Sequence, residues 1–140
     1  MRTNTVPMFN GDSEKASKYY EQILGGKIEA MGSSAGTPIE REIPLERRNK
    51  ILNARLILGD TILMGMDAPP ERDQLPKGFF VSLDVNGTAK AERVFHALED
   101  GGKVDMPFQQ TIWATRFGMR IDRFGIPRMI HYAEAAQRAA

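Results

Sequence analysis

The chain repeats itself, and the repeat limits the folds open to it more than any other feature. Laid on itself with a shift of 76 positions (9 onto 85), Phe9-Asn10-Gly11 falls on Val85-Asn86-Gly87 and Tyr19-Tyr20 on Phe95-His96. At the same shift Gly25-Gly26-Lys27-Ile28 falls on Gly101-Gly102-Lys103-Val104. Matches at both ends of a segment, with equal spacing between them, point to a duplicated module. Each copy carries the same signals: an apolar strand running into Asn-Gly, a helix, a Gly-Gly stop and another strand. In the first helix Ala16, Tyr19, Tyr20, Ile23 and Leu24 recur at helical spacing, with Asp12 or Ser13 placed to cap its free N–H groups. In the second, Ala91, Val94, Phe95 and Leu98 do the same behind Thr88. Both helices are expected to end at glycine, which takes the left-handed conformation other residues resist.

Three further strands follow each helix. In the first half they cover 27–31, 51–58 and 61–66, the last two joined by Gly59-Asp60, a hairpin turn. In the second half they cover 103–106, 113–121 and 126–132. The chain is thus expected to be one α+β domain of two βαβββ modules forming a curved eight-stranded mixed sheet. Module one spans about 3–66 and module two about 79–135, with a linker at 67–78 that is rich in proline and charge. The connection at 32–50 departs from the symmetry. Its mixed charges, Glu40-Arg41-Glu42 and Glu46-Arg47-Arg48-Asn49-Lys50, read as a solvated loop, with a substrate lid as the other reading.

Composition narrows the function classes. At 140 residues, 41% hydrophobic and 26% charged, the chain fits one ordinary globular domain. A net charge of +1 with interspersed signs is no nucleic-acid footprint. The apolar runs are too short to span a bilayer, and Met1-Arg2-Thr3-Asn4-Thr5 has no signal-peptide core, so a cytoplasmic protein without membrane partners is expected. The absence of cysteine removes disulfides, thiolate metal ligands and a cysteine nucleophile.

A doubled βαβββ module resembles the vicinal-oxygen-chelate superfamily, which includes glyoxalase I, extradiol dioxygenases and bleomycin-resistance proteins. Phe9-Asn10-Gly11, Tyr19-Tyr20, Asp67-Ala68-Pro69-Pro70, and Phe117-Gly118-Met119 leading into Asp122-Arg123-Phe124-Gly125-Ile126-Pro127 are similar to its PhnB-like branch. The resemblance implies half-barrel modules, a cavity between them and a homodimer. In metal-dependent members, ligands come from the first and last strand of each module. Here those positions carry Thr5, Met64, Phe80 and Met129, with His131 two residues along. Divalent metals need nitrogen or oxygen donors, so no intrinsic metal and no cofactor are expected. The methyltransferase label sometimes carried by the branch finds no support, because the Gly-Gly pairs follow helices and a nucleotide cradle precedes one.

The candidate ligand-binding wall is Phe9, Met64, Met66, Phe80 and Met129, with Trp113 nearby. Methionine adapts to irregular partners, although apolar residues at strand period also simply fill cores. Along 113–122, Trp113, Thr115, Phe117, Met119 and Ile121 alternate with Ala114, Arg116, Gly118, Arg120 and Asp122. This reads as a core face and a solvent face. If the polar face lined a cleft instead, Arg116 would be the anion holder. His96 reads as a structural helix residue. His131 is the candidate general acid or base, since imidazole is the side chain suited to proton exchange near neutral pH. The function expected is binding of a small organic ligand without a resident metal, by sequestration or with proton transfer through His131. The alternatives are a lyase, isomerase or dioxygenase that recruits metal with its substrate, and a drug-sequestering resistance protein.

Overall fold

The computed structural model describes residues 1–134, which fall into two compact units, Met1–Gln74 and a second beginning at Leu75. The first unit runs β1 (Met8–Phe9), α1 (Ser13–Leu24), β2 (Lys27–Ser33), β3 (Ile51–Leu58) and β4 (Thr61–Asp67). The second runs β5 (Val81–Asp84), α2 (Thr88–Ala97), β6 (Lys103–Gln109), β7 (Arg116–Ile121) and β8 (Pro127–Tyr132). The expected βαβββ order therefore holds in both. The eight expected strands form two four-stranded mixed sheets, ordered β1-β4-β3-β2 and β5-β8-β7-β6. In each, the first strand runs parallel to the last, and the other pairings are antiparallel.

The repeated Gly-Gly pair has a physical reason in each copy. The first glycine holds a positive φ, 76° at Gly25 and 72° at Gly101, which side chains resist. The second lies against backbone: a Cβ on Gly26 would sit 2.5 Å from the Ile57 carbonyl oxygen, and one on Gly102 would sit 2.6 Å from that of Ile121. Helix and sheet can close only over glycine there. Gly25 is the C-cap of α1, as expected. Helix α2 instead stops at Ala97 with Leu98 still right-handed, and a further turn precedes Gly101, because the Leu98, Glu99 and Gly102 amides find carbonyls one turn back.

The caps also differ from expectation. Neither Asp12 nor Ser13 caps α1 through its side chain, and Thr88 does not cap α2. The α1 cap comes from a distant strand. Asp67, at the end of β4 and 4% exposed, accepts the Ser13 N–H at 2.9 Å and the Ile51 N–H at 2.8 Å. Asp67 and the buried Ala68, whose N–H donates to the Phe9 carbonyl, thus belong to the first module's core, where a linker was read. The carboxylate satisfies a helix N-terminus and a strand start together.

The connection between β2 and β3 is tied down by Arg48. Its carbonyl accepts from the Ser34 hydroxyl and the Ala35 N–H, and its Nε donates to the Ile43 carbonyl at 3.1 Å. Short 3-10 turns at Glu40–Glu42 and Leu45–Arg47 carry most of the mixed charge outward.

Candidate functional site

Strand alternation divides each sheet into a face under its helix and a far face. In the first module Phe9, Ala54, Leu56 and Leu63 are buried on the α1 side. The far face carries Met8 opposite Met66, Arg55 opposite Met64, and Ile57 opposite Ile62, with Met8, Met64 and Met66 half-buried. Met64 and Met66 therefore share a face. Phe9 faces the other way, its ring beside Gly65 and near Tyr20, and serves as core.

In the second module, Arg120 pairs with Arg128 and Gly118 with Ile130 beneath α2. The apolar series, Phe117, Met119 and Ile121, takes the far face. This reverses the expected core and solvent faces of 113–122: the charged side is the one covered by the helix. Arg120 and Arg128 are both 0% exposed. The Arg120 guanidinium lies 3.8 Å from the Phe95 ring centroid, and Arg128 Nε donates to the Asp122 carboxylate at 3.1 Å. The same carboxylate accepts the Phe124 and Ile126 N–H groups and so closes the turn before β8. Aromatic stacking and a buried ion pair are what allow charge there. Gly118 is needed in this layer, since a Cβ would strike the Phe95 ring and meet Phe108 Cδ2 at 3.0 Å.

Arg116 lies on the α2 side too. It is held by Glu92 at 2.6 Å and stacks over Phe108 at 5.5 Å, so it is no anion holder for the far face. Together with Glu99, His96 and Val104 these residues border a shallow groove of about 490 Å³ between α2 and β6. His96 is exposed, with its Nδ1 3.1 Å from Glu99.

The far face of the second module gathers chemistry instead. Across the strands, Met106, Met119, Met129 and Ser82 lie opposite one another in one row. The next row holds Gln109, Phe117, His131 and Asp84. Side chains directly opposite on neighbouring strands share a face. His131 Nδ1 is engaged by the Asp84 carboxylate, with the imidazole 29% exposed. Trp113 precedes β7, which starts at Arg116 and not at 113, because Thr111 and Ala114 close a turn on themselves. Its ring stands edge-on to Phe117 with centroids 5.6 Å apart. Phe80 is half-buried just ahead of β5. Asp84 was missed in the sequence because its signal is a register: it becomes significant only once β5 pairs with β8.

The metal-ligand positions of the fold do not fit a divalent ion. Thr5 is exposed and precedes β1, Met64 and Met129 offer thioethers, and Phe80 offers no donor. Among the described residues, no three His, Cys, Asp or Glu side chains converge. His131 and Asp84 are two donors already engaged with one another.

Two modules in one chain, each with a helix on one face of a βαβββ sheet and methionines on the other, define the class of paired-module proteins described above. The chain belongs to the Glyoxalase/Bleomycin resistance protein/Dioxygenase superfamily, whose model matches residues 2–129. It is 29% identical over 134 residues to Protein YjdN of Escherichia coli (strain K12), covering 88% of this chain and 89% of that one. Among solved structures it is similar to protein PA1353 from Pseudomonas aeruginosa, with 40% identity, a TM-score of 0.83, and 94% and 98% of the two chains covered. A Bacillus cereus PhnB protein, named a putative 3-demethylubiquinone-9 3-methyltransferase, has the same fold at 18% identity and a TM-score of 0.79, covering 95% and 100%. Among the described residues no helix is long and apolar enough to cross a membrane.

Proposed function

We propose that the chain binds a small planar organic molecule on the far face of its second module, with His131 as the group that exchanges a proton with it. The observation that carries this reading is the His131–Asp84 pair set beside Phe117, with the row of Met106, Met119 and Met129 next to it. An aromatic and thioether wall with one polar pair is the lining small-molecule sites favour: apolar contact supplies affinity and few polar groups orient. Proton exchange follows from the ring. Nε2 takes the proton of an acidic O–H or C–H, the ring becomes an imidazolium held at Nδ1 by the Asp84 carboxylate, and the ligand stays as its anion until the same proton returns. Released at a different ligand atom, the proton completes an isomerisation. No resident metal takes part in this reading, in keeping with the donors at Thr5, Met64, Phe80 and Met129. The PhnB-like character, a cytoplasmic location and a homodimer belong to the same reading. The quoted motifs, the absence of cysteine and the exposed Ile112, at 95%, support them respectively.

Trp113 is the single tryptophan and stands against Phe117, so its fluorescence reports on the wall. Titration with 4-cyanophenol should give saturable quenching that Phe117→Ala weakens at least tenfold. Absence of saturable change up to millimolar phenol, or full quenching in Phe117→Ala, would contradict the site. Elemental analysis of the purified protein should find sub-stoichiometric metal; one full equivalent would contradict the metal-free part.

A further inference from the structure

We infer that Asp84 is a positioning residue that fixes the tautomer of His131, and that the site therefore selects ligands carrying a hydroxyl hydrogen. A carboxylate only accepts hydrogen bonds. The carboxylate charge set against Nδ1 of His131 favours the tautomer with its hydrogen on that nitrogen, which leaves Nε2 of the neutral ring as an acceptor. The selection follows from position. Asp84, itself largely exposed, ends β5 and His131 lies directly opposite it on β8, so backbone register brings the two together. The Val85 N–H donates to the His131 carbonyl at 3.0 Å and holds the two strands together just there. On its other side His131 lies opposite Phe117. A group approaching from that apolar neighbour meets an acceptor, and a phenol or enol satisfies it with its O–H. The matching ether brings a second acceptor and leaves both groups unsatisfied, a loss that grows as water is displaced.

This rests on the reading that His131 faces the ligand, and two measurements separate the claims. Only two histidines, His96 and His131, contribute to a long-range proton–nitrogen spectrum of the uniformly nitrogen-15-labelled full chain. At alkaline pH His131 should show a protonated Nδ1 and a bare Nε2, and Asp84→Ala should abolish that pattern while the His96 signals stay put. A bare Nδ1 in the parent, or an unchanged His131 pattern in Asp84→Ala, overturns the positioning role. In the second measurement, Trp113 fluorescence is titrated with 4-cyanophenol and with its methyl ether, 4-methoxybenzonitrile. The phenol should bind at least tenfold tighter, and Asp84→Ala should narrow the gap to about twofold. Equal affinities with the tautomer as stated overturn the selectivity. Failure of both compounds to bind, with the tautomer as stated, overturns the site reading and leaves the positioning role standing.

Discussion

Replacing Asp67 should be among the most damaging single changes to the first module. Its carboxylate is almost fully buried and accepts from Ser13 N and Ile51 N at 2.9 and 2.8 Å, joining the α1 N-terminus, the start of β3 and the end of β4. Hydrogen bonds to a charged acceptor contribute about 1.5–3 kcal/mol each, and a buried N–H left without an acceptor costs about 1–3 kcal/mol. These are two descriptions of one loss and do not add. Favourable charge at the helix N-terminus contributes about 0.3–1 kcal/mol more. Asp67→Ala should therefore cost at least about 3 kcal/mol, and Asp67→Asn, which keeps one acceptor oxygen and loses the charge, about 1–2 kcal/mol. The assay is urea unfolding followed by far-ultraviolet circular dichroism, where a true stability loss moves the midpoint and leaves the slope unchanged. At roughly 3–5 °C per kcal/mol for a chain of this size, the alanine variant should melt at least about 10 °C lower. A loss below about 1 kcal/mol in Asp67→Ala would refute the reasoning.

Other expectations follow from the same physics. Gly118→Ala forces a methyl into the Phe95–Phe108 stack, whose rings lie 4.8 Å apart, and should cost about 1–3 kcal/mol by urea unfolding; an unchanged midpoint would mean the rings move freely. Arg128→Met strands the buried Asp122 carboxylate and should cost about 3–5 kcal/mol, with a near-neutral result showing that the pair is dispensable. The Glu14 carboxyl is held below its usual value by its hydrogen bond to Lys18 and by that residue's charge. Any stability the pair provides is present above the ordinary carboxylate range and fades as pH falls through the lowered value. Since the pair is exposed, Glu14→Gln should leave the melting midpoint at neutral pH unchanged within error, and a clear drop would show the pair matters.

The duplication was legible in the sequence because backbone geometry forced the same residues twice: a positive-φ glycine followed by one pressed on a carbonyl, at Gly25-Gly26 and Gly101-Gly102. Periodicity likewise announced both helices. What failed to show was whatever long-range contact decides. Asp67 looked like linker because its partners, Ser13 and Ile51, lie 54 and 16 residues away. The alternation along 113–122 was correctly split into two series but assigned to the wrong environments, since charge is normally read as solvated. Phe95 and Asp122 reverse that by giving Arg120 and Arg128 partners under the helix. At the candidate site, His131 stood out by residue type, while Asp84 and Phe117 required the β5-β8-β7 register to be placed beside it.

The most direct test of the account is a titration with 4-cyanophenol monitored through the methionine methyl groups. Eight methionines are distributed along the chain, and Met119 and Met129 flank the proposed ligand on the far face of the second module. In a sample carrying carbon-13 only at the methionine methyls, the signals of Met119 and Met129 should move together and saturate, while those of Met1 and Met31 stay fixed. Saturable binding that leaves Met119 and Met129 unmoved would contradict the account.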